Sequence, residues 1–200
     1  MSDAPLQLLL LEDSDSDALR IRTLLDQSEA QSVELTRVER VSDALKILDQ
    51  QSFDLLLLDL CVHDSQGLET FERIHNHAKH LPIIVQSGLN EDSVGPAAVR
   101  RGAQDFLVKG RFDQQLLDRA IRYAIERKEV ERALRESEAR YAAALAGAND
   151  GIWDWDLCTN QIYLSGRWSE ILGMPRASQV IGPEAWMDRV HPEDTVRVAS

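Results

Sequence analysis

Asp59 follows four consecutive leucines, Leu55 to Leu58, and Glu12-Asp13 follows four more, Leu8 to Leu11. Four apolar residues in a row suit a strand buried on both faces, and the residue after such a run stands at its carboxyl end. In a parallel α/β sheet that edge is where ligands bind. Two further apolar runs end in Ser87 and in Lys109. Strands that deliver carboxylates, a hydroxyl and an ammonium to one rim make a site for a divalent metal ion and a phosphoryl group. Glu12, Asp13 and Asp59 brought close together repel one another, and their pKa values rise unless a cation compensates them. An all-oxygen donor set with room for water suits Mg2+.

Charge assigns the roles. Asp59 is expected to be the nucleophile, its carboxylate attacking a phosphoryl donor to become an acyl phosphate. Mg2+ is expected on Asp13, Asp59 and a backbone carbonyl, with Glu12 acting mostly through metal-bound water. Lys109 offers a point charge to phosphoryl oxygens. Ser87 is a compact donor, and Gly88 leaves backbone space beside it.

These side chains need a scaffold, and residues 6–127 alternate between short apolar runs and amphipathic segments. Strands are expected at Gln7–Leu11, Val33–Val38, Phe53–Leu60, Ile83–Ser87 and Asp105–Lys109. Helices are expected at Asp15–Gln27, Ser42–Gln51, Leu68–His77, Asp92–Arg101 and Asp113–Arg127. The alternation predicts a parallel sheet with helices on both faces. Ser42 reads as a helix cap, and Gly102 as a helix C-terminal glycine before the last strand.

The helical pattern continues without Pro or Gly to about Ala146. Val130, Leu134, Ser137, Tyr141 and Ala144 recur at 4-3-4-3 spacing, a short coiled-coil seam. The earlier stripe of Leu117, Ala120, Ile121 and Ala124 lies in a different phase, so a solvated helix is expected to leave the first domain here, with pairing of two chains through 113–146. All four tryptophans, Trp153, Trp155, Trp168 and Trp186, fall beyond this helix and read as core. Gly151–Leu157 and Gln161–Leu164 alternate like a hairpin turning at Thr159-Asn160, with short pieces broken at Gly173, Pro175, Gly182, Pro183 and Pro192 after it.

Two hundred residues accommodate one domain and part of another. A net charge of -12 argues against nucleic-acid or anionic-membrane surfaces. Neither leucine run approaches the roughly 18 residues of a membrane span, and the first five residues lack the basic region of a signal peptide. Cys61 and Cys158 match no CxxC pattern and read as reduced thiols in a cytoplasmic protein. His75, His77 and His80 do not have the i, i+4 spacing of a helical metal pair and read as surface residues.

Glu12-Asp13, Asp59-Leu60 with Gly67-Leu68, Ser87-Gly88 and Phe106-Leu107-Val108-Lys109 together resemble the response-regulator receiver domain of two-component signalling, over residues 5–127. The resemblance implies a flavodoxin-like, doubly wound five-stranded parallel sheet and phosphate received from a histidine kinase or phosphotransfer protein. It implies Asp59 as phosphoacceptor, Mg2+ on Asp13, Asp59 and the Cys61 carbonyl, and a switch formed by Ser87, Lys109 and Phe106. Two positions depart from the family. Gly110 replaces the usual proline after the lysine. A cis bond to a non-proline residue costs about 2.5–4 kcal/mol, so a trans bond, or strain relieved by glycine, is expected. His63 replaces the proline four residues after Asp59. It lies with Cys61 near the expected acyl phosphate, and two readings stand: first a plain loop residue, second a residue that tunes hydrolysis of the acyl phosphate.

Residues from about 143 resemble the first half of a PAS sensor domain, carried by Ala148 to Leu157, Tyr163-Leu164-Ser165 and Val190-His191-Pro192-Glu193-Asp194. Two of the five PAS strands would lie here and three beyond Ser200. The expected organisation is a receiver at 1–127, a helical linker at 128–142 and a partial PAS domain at 143–200. The chain resembles receivers that precede cyclic di-GMP enzymes or kinases, is expected not to be an enzyme itself, and carries no heme or flavin signal. Two other readings are a phosphate-independent dimerisation scaffold and a haloacid-dehalogenase-like phosphohydrolase. The latter usually carries an acid two residues after its nucleophile, where this chain has Cys61.

Overall fold

A computed structural model of the protein describes residues 4–28, 32–88, 93–148, 150–171, 173 and 177–199. The chain divides into two compact units, Met1–Arg135 and Glu136–Ser200. In the first unit the strands β1 (Leu6–Leu11), β2 (Val33–Val38) and β3 (Leu55–Asp59) alternate with the helices α1 (Asp15–Asp26) and α2 (Val41–Leu48). A two-strand hairpin follows, β4 (Cys61–Val62) and β5 (Ser65–Gln66), then α3 (Leu68–His77). The unit is completed by β6 (Ile83–Ser87), α4 (Val94–Arg100), β7 (Asp105–Val108) and the first part of α5 (Gln114–Ala148).

The main sheet is parallel throughout, in the order β2-β1-β3-β6-β7. This is the flavodoxin-like doubly wound order, whose ligand crevice opens beside the first strand at the carboxyl edge. The two leucine runs explain why the sheet forms. Strand side chains alternate between faces, so Leu9, Leu11, Leu56 and Leu58 enter one buried cluster with Phe71 and Ile74 of α3. Leu8, Leu10, Leu55 and Leu57 enter the other, with Ile21 of α1 and Leu117 and Ile121 of α5. All eight leucines are fully buried.

Element ends differ from the sequence expectation where tertiary contacts set them. The third strand stops at Asp59 and starts at Leu55, not Phe53. The hairpin β4–β5 was not expected, since two-residue strands carry no periodicity. The start expected for α4 at Asp92 lies outside the described residues, and so does Pro175. Ser42 is not the cap of α2, which begins at Val41 with no cap from its own neighbours. Asp64 supplies it from the hairpin, accepting hydrogen bonds from Val41 N at 2.8 Å and Ser42 N at 3.1 Å. Burial pushes the Asp64 carboxyl up, but these bonds and the Arg73 charge outweigh it and hold the group below its usual range. A depressed carboxyl stabilises the fold above its unfolded pKa of about 4 and loses that contribution as pH falls through the folded value. Asp64→Ala is therefore expected to cost about 1 kcal/mol in urea denaturation at pH 7 and much less at low pH; an unchanged midpoint at pH 7 would remove Asp64 from this role.

Gly102 has φ +112°, as expected of a residue that ends a helix, and lies just beyond α4. No cis peptide bond occurs among the described residues, and Gly110 takes φ +81° after Lys109.

α5 runs unbroken through both stripes noted in the sequence. Leu117, Ala120, Ile121 and Ala124 are buried, and the buried line continues to Lys128. Val130, Leu134 and Tyr141 are 69%, 58% and 63% exposed, so the second stripe faces solvent. At 3.6 residues per turn the two lines are rotated by roughly a third of a turn. No helix among the described residues is long and apolar enough to cross a membrane.

In the second unit β8 (Trp153–Asp156) and β9 (Gln161–Leu164) form the expected hairpin, with Asn160 at φ 54°. A third strand, β10 (Gln179–Ile181), pairs antiparallel with β9 and was not anticipated. Ile162 and Leu164 are buried, but Trp153 and Trp155 are 51% and 40% exposed. Both lie on β8, an edge strand of this sheet, which corrects their reading as core. Trp153 packs beside Trp186 with ring centroids 6.0 Å apart.

Candidate functional site

β1, β3, β6 and β7 end on one edge, and the residues at or just past their ends converge as the sequence predicts. Lys109 is the hub. Its Nζ donates to Glu12 Oε2 at 2.6 Å, to Asp59 Oδ2 at 2.8 Å and to Asp17 Oδ2 at 2.9 Å. Glu12 and Asp59 are buried. One oxygen from each of Glu12, Asp13 and Asp59 lies within 4.8 Å of the others. Three carboxylates thus share one ammonium, and a fourth, Asp13, lies beside two of them.

Burial pushes the Asp59 carboxyl above its usual range despite hydrogen bonds from Lys109 and the Cys61 N–H, and the charge of Asp13 adds to the rise. Burial likewise raises Glu12, helped by the charge of Asp59. For Lys109, burial alone would favour the neutral amine, but hydrogen bonds to Asp59, Glu12 and Asp17 outweigh it and hold the ammonium well above its ordinary value. The site therefore combines a firmly charged lysine with carboxylates that are costly to ionise. Hard oxygen donors with excess negative charge fit a small divalent cation such as Mg2+.

The backbone is held as firmly as the side chains. Cys61 N donates to Asp59 Oδ1 at 3.1 Å, and Ser14 N donates to Glu12 Oε1 at 3.0 Å. Thr70 Oγ1 donates to the buried carbonyl of Leu60 at 2.9 Å, fixing the chain just after Asp59. Arg37, at the carboxyl end of β2, donates to the carbonyls of Glu12 and Asp13 at 2.9 and 3.1 Å. Asp17, Arg37 and Asp64 were missed by sequence reasoning. Asp17 alone had a signal, standing i+4 from Asp13 at the start of a helix.

Ser87 ends β6 and is buried; its neighbour Gln86 pairs with Asp59, and its carbonyl accepts from Lys109 N at 2.9 Å. The loop after it, at 89–92, lies outside the described residues. Cys61 is exposed on the hairpin. His63, read as a loop residue, places Nδ1 3.1 Å from Asp13 Oδ2, so it touches the acidic set. His77 and His80 are exposed, but His75 stacks on Phe71 at 5.0 Å with Nδ1 buried, contrary to its surface reading.

Phe106 on β7 packs against the core cluster under α4. A Cβ placed on Gly95 of α4 would meet the Phe106 ring at 2.5 Å. Gly95→Ala gains helix propensity worth up to about 1 kcal/mol, but the overlap costs about 1–3 kcal/mol. Net destabilisation is expected in thermal unfolding, with a displaced Phe106 ring by NMR; an unmoved ring in a more stable protein would show the contact to be slack.

A family model described as response regulator receiver domain matches residues 8–122. The transcriptional regulatory protein AfsQ1 of Streptomyces coelicolor is 34% identical over 125 residues, covering 62% of this chain and 53% of that protein. The transcriptional regulatory protein GlrR of Escherichia coli is 30% identical over 126 residues, covering 63% of this chain and 28% of that protein. A response regulator receiver domain protein of Clostridium thermocellum superposes with a TM-score of 0.55 at 23% identity, covering 62% of this chain and 98% of that one. The chain spans about half or less of these curated relatives.

Proposed function

The chain belongs to the response regulator receiver domain family, and from that premise we propose that it is the phosphoacceptor receiver of a two-component phosphorelay, phosphorylated on Asp59. The observation that carries this reading is the convergence of Glu12, Asp13 and Asp59 with the Lys109 ammonium 2.8 Å from Asp59. A carboxylate oxygen of Asp59 attacks phosphorus on the phosphohistidine of a histidine kinase or phosphotransfer protein. The P–N bond breaks, its electron pair returns to the imidazole, and an acyl phosphate forms. Asp13, Asp59 and the Cys61 carbonyl would hold Mg2+, with Glu12 acting through water. The bound ion supplies positive charge to the phosphoryl oxygens. Lys109 offers its ammonium, and Ser87 its hydroxyl, to the new phosphoryl group. Phe106 would follow Ser87 as the aromatic part of the switch.

The same reading extends to the output. Residues 143–200 are taken as the first part of a PAS module, supported by the β8–β9–β10 sheet and the motifs ending at Asp194. The signal would travel along α5 to an effector, of which cyclic di-GMP turnover is the favoured class, in a cytoplasmic homodimer. Homodimerisation through α5 is supported by the exposed Val130, Leu134 and Tyr141 at heptad spacing. To shift a two-state switch from 1:99 to 99:1 the phosphoryl group must favour one state by about 5.5 kcal/mol.

The test is incubation with acetyl phosphate and Mg2+. Intact-mass measurement is expected to show one phosphoryl group per chain and none with EDTA, and sedimentation is expected to report a changed oligomeric state. Stable dimers indifferent to phosphate would favour a dimerisation scaffold, while absence of any phosphoryl adduct would sink the receiver reading.

A further inference from the structure

A second charged site lies at the far end of β7 from Lys109, about 13 Å of strand away. A cavity of about 400 Å3 opens there between the end of α3, the turn Gly102–Gln104 and α5. Its walls carry His75, Lys79, Arg127, Lys128, Glu131 and Arg135. In a chain of net charge -12, four fixed cations surround one carboxylate. Glu131 is shared by Lys128 at 3.2 Å and Arg135 at 2.5 Å. Lys79 and Arg127 have no ion-pair partner among the described residues. His75 Nδ1 and Gln104 Oε1, buried atoms of two residues that line it, have no hydrogen-bond partner among the described residues.

The neighbouring cations contribute to the shifts of two groups on the wall. Burial first, then the charges of Lys128 and Lys79, hold His75 below its ordinary value. Burial pushes Glu131 up, but its bond to Lys128 and the charges of Lys128, Arg135 and Arg127 outweigh it and hold the group down. Positive potential focused in a concave wall favours an anion. Arginine and lysine donors of mixed geometry suit phosphate oxygens.

We propose that this cavity is a binding site for a small phosphate-bearing polyanion, held by Lys79, Arg127 and Arg135. The ligand would join α3 to the part of α5 at 127–135, just where that helix leaves the first unit. Glu131 disfavours monovalent or weakly charged ligands less than it disfavours polyanions, but its two ion pairs already neutralise it. Binding there requires no chemistry at Asp59.

The test uses the full chain in EDTA at low salt, so that no metal carries the probe to the acidic rim. Inorganic pyrophosphate and ADP are titrated separately by calorimetry. Binding is expected for at least one of them: similar affinities identify a bare diphosphate site, and tighter ADP binding identifies a nucleotide site. Lys79 and Arg127 are exposed, so Lys79→Gln and Arg127→Gln are expected to remain folded by circular dichroism. Each is expected to weaken binding about tenfold. Asp59→Asn is expected to leave affinity unchanged, and hydrogen exchange at 127–135 to slow on binding. The proposal is overturned if neither probe binds more tightly than about 1 mM, if both Gln variants bind as the parent does, or if Asp59→Asn removes the binding.

Discussion

Asp59→Asn is expected to abolish phosphorylation by acetyl phosphate and, in EDTA, to make the protein more stable rather than less. The nucleophile disappears because an amide oxygen does not form the acyl phosphate. The stability change has the opposite sign because burial raises the Asp59 carboxyl above its usual range. A carboxyl raised in the folded state favours folding below its unfolded pKa, about 3.9, and loses that contribution as pH rises through the folded value. Lys109, raised by its three carboxylate partners, stays charged across that whole interval and does not alter the slope. At pH 7 the neutral amide therefore removes a cost, and a gain of about 1 kcal/mol is expected in urea denaturation. Mg2+ reverses the order. At a hundred times its Kd a ligand specific to the folded state stabilises by about 2.7 kcal/mol, and the variant, short of one ligand, is expected to gain well under half of that. A phosphoryl adduct on the variant at full stoichiometry would move the nucleophile elsewhere, and equal Mg2+ stabilisation of both proteins would remove Asp59 from the metal site.

The parts of this arrangement visible in the sequence are those written in consecutive residues. Leu8–Leu11 and Leu55–Leu58 name two buried strands because a strand covered on both faces has apolar residues on both. The residues after them, and after the shorter run Phe106–Val108, are then placed by geometry alone, which is why Glu12, Asp13, Asp59 and Lys109 were legible together. Arg37 was not, because its role depends on β2 lying beside β1, which composition does not reveal. Asp64 was hidden for a similar reason: its partners, Val41 and Ser42, are more than twenty positions away and are backbone groups. His63 looked like a loop residue because its ring meets Asp13 only when the hairpin folds over the rim. The exposed tryptophans of β8 failed in the other direction, since side-chain size predicts burial only when a neighbouring element covers the strand.

This arrangement also bears on how the first unit communicates. Asp59 and Lys109 stand at one end of the sheet, while Gly102 to Gln104 and the charged wall of α5 stand at the other. β7 links the two, with Phe106 midway and wedged against Gly95. Lys109 follows one end of that strand, and Gln104, which lines the cavity with Arg127, precedes the other. A coupling free energy between two sites is reciprocal, so pyrophosphate occupancy and phosphorylation are expected to alter one another equally if β7 carries the coupling.

Lys109→Met carries the other large effect. The substitution keeps an apolar stem of similar length and removes the only cation bonded to both Glu12 and Asp59 among the described residues. Breaking a buried ion pair from one side typically costs 3–5 kcal/mol. Here about 3 kcal/mol is expected in EDTA, at the low end, because Glu12 and Asp59 are already inclined to take up a proton. Two consequences separate this loss from a simple core defect. Acidification from pH 7 is expected to recover part of the stability, since protonating the orphaned carboxylates removes their repulsion. Mg2+ is expected to bind the variant more tightly than the parent, since the ammonium no longer competes for the same oxygens. Phosphorylation is nonetheless expected to slow about a hundredfold, the usual scale for removing one charge-stabilising donor. Lys109→Arg is expected not to restore it, because a planar guanidinium does not present a single compact ammonium to three carboxylates. If Lys109→Met instead weakens Mg2+ binding and loses stability equally at every pH, Lys109 is acting as a packing residue and the charge balance proposed for this rim is wrong.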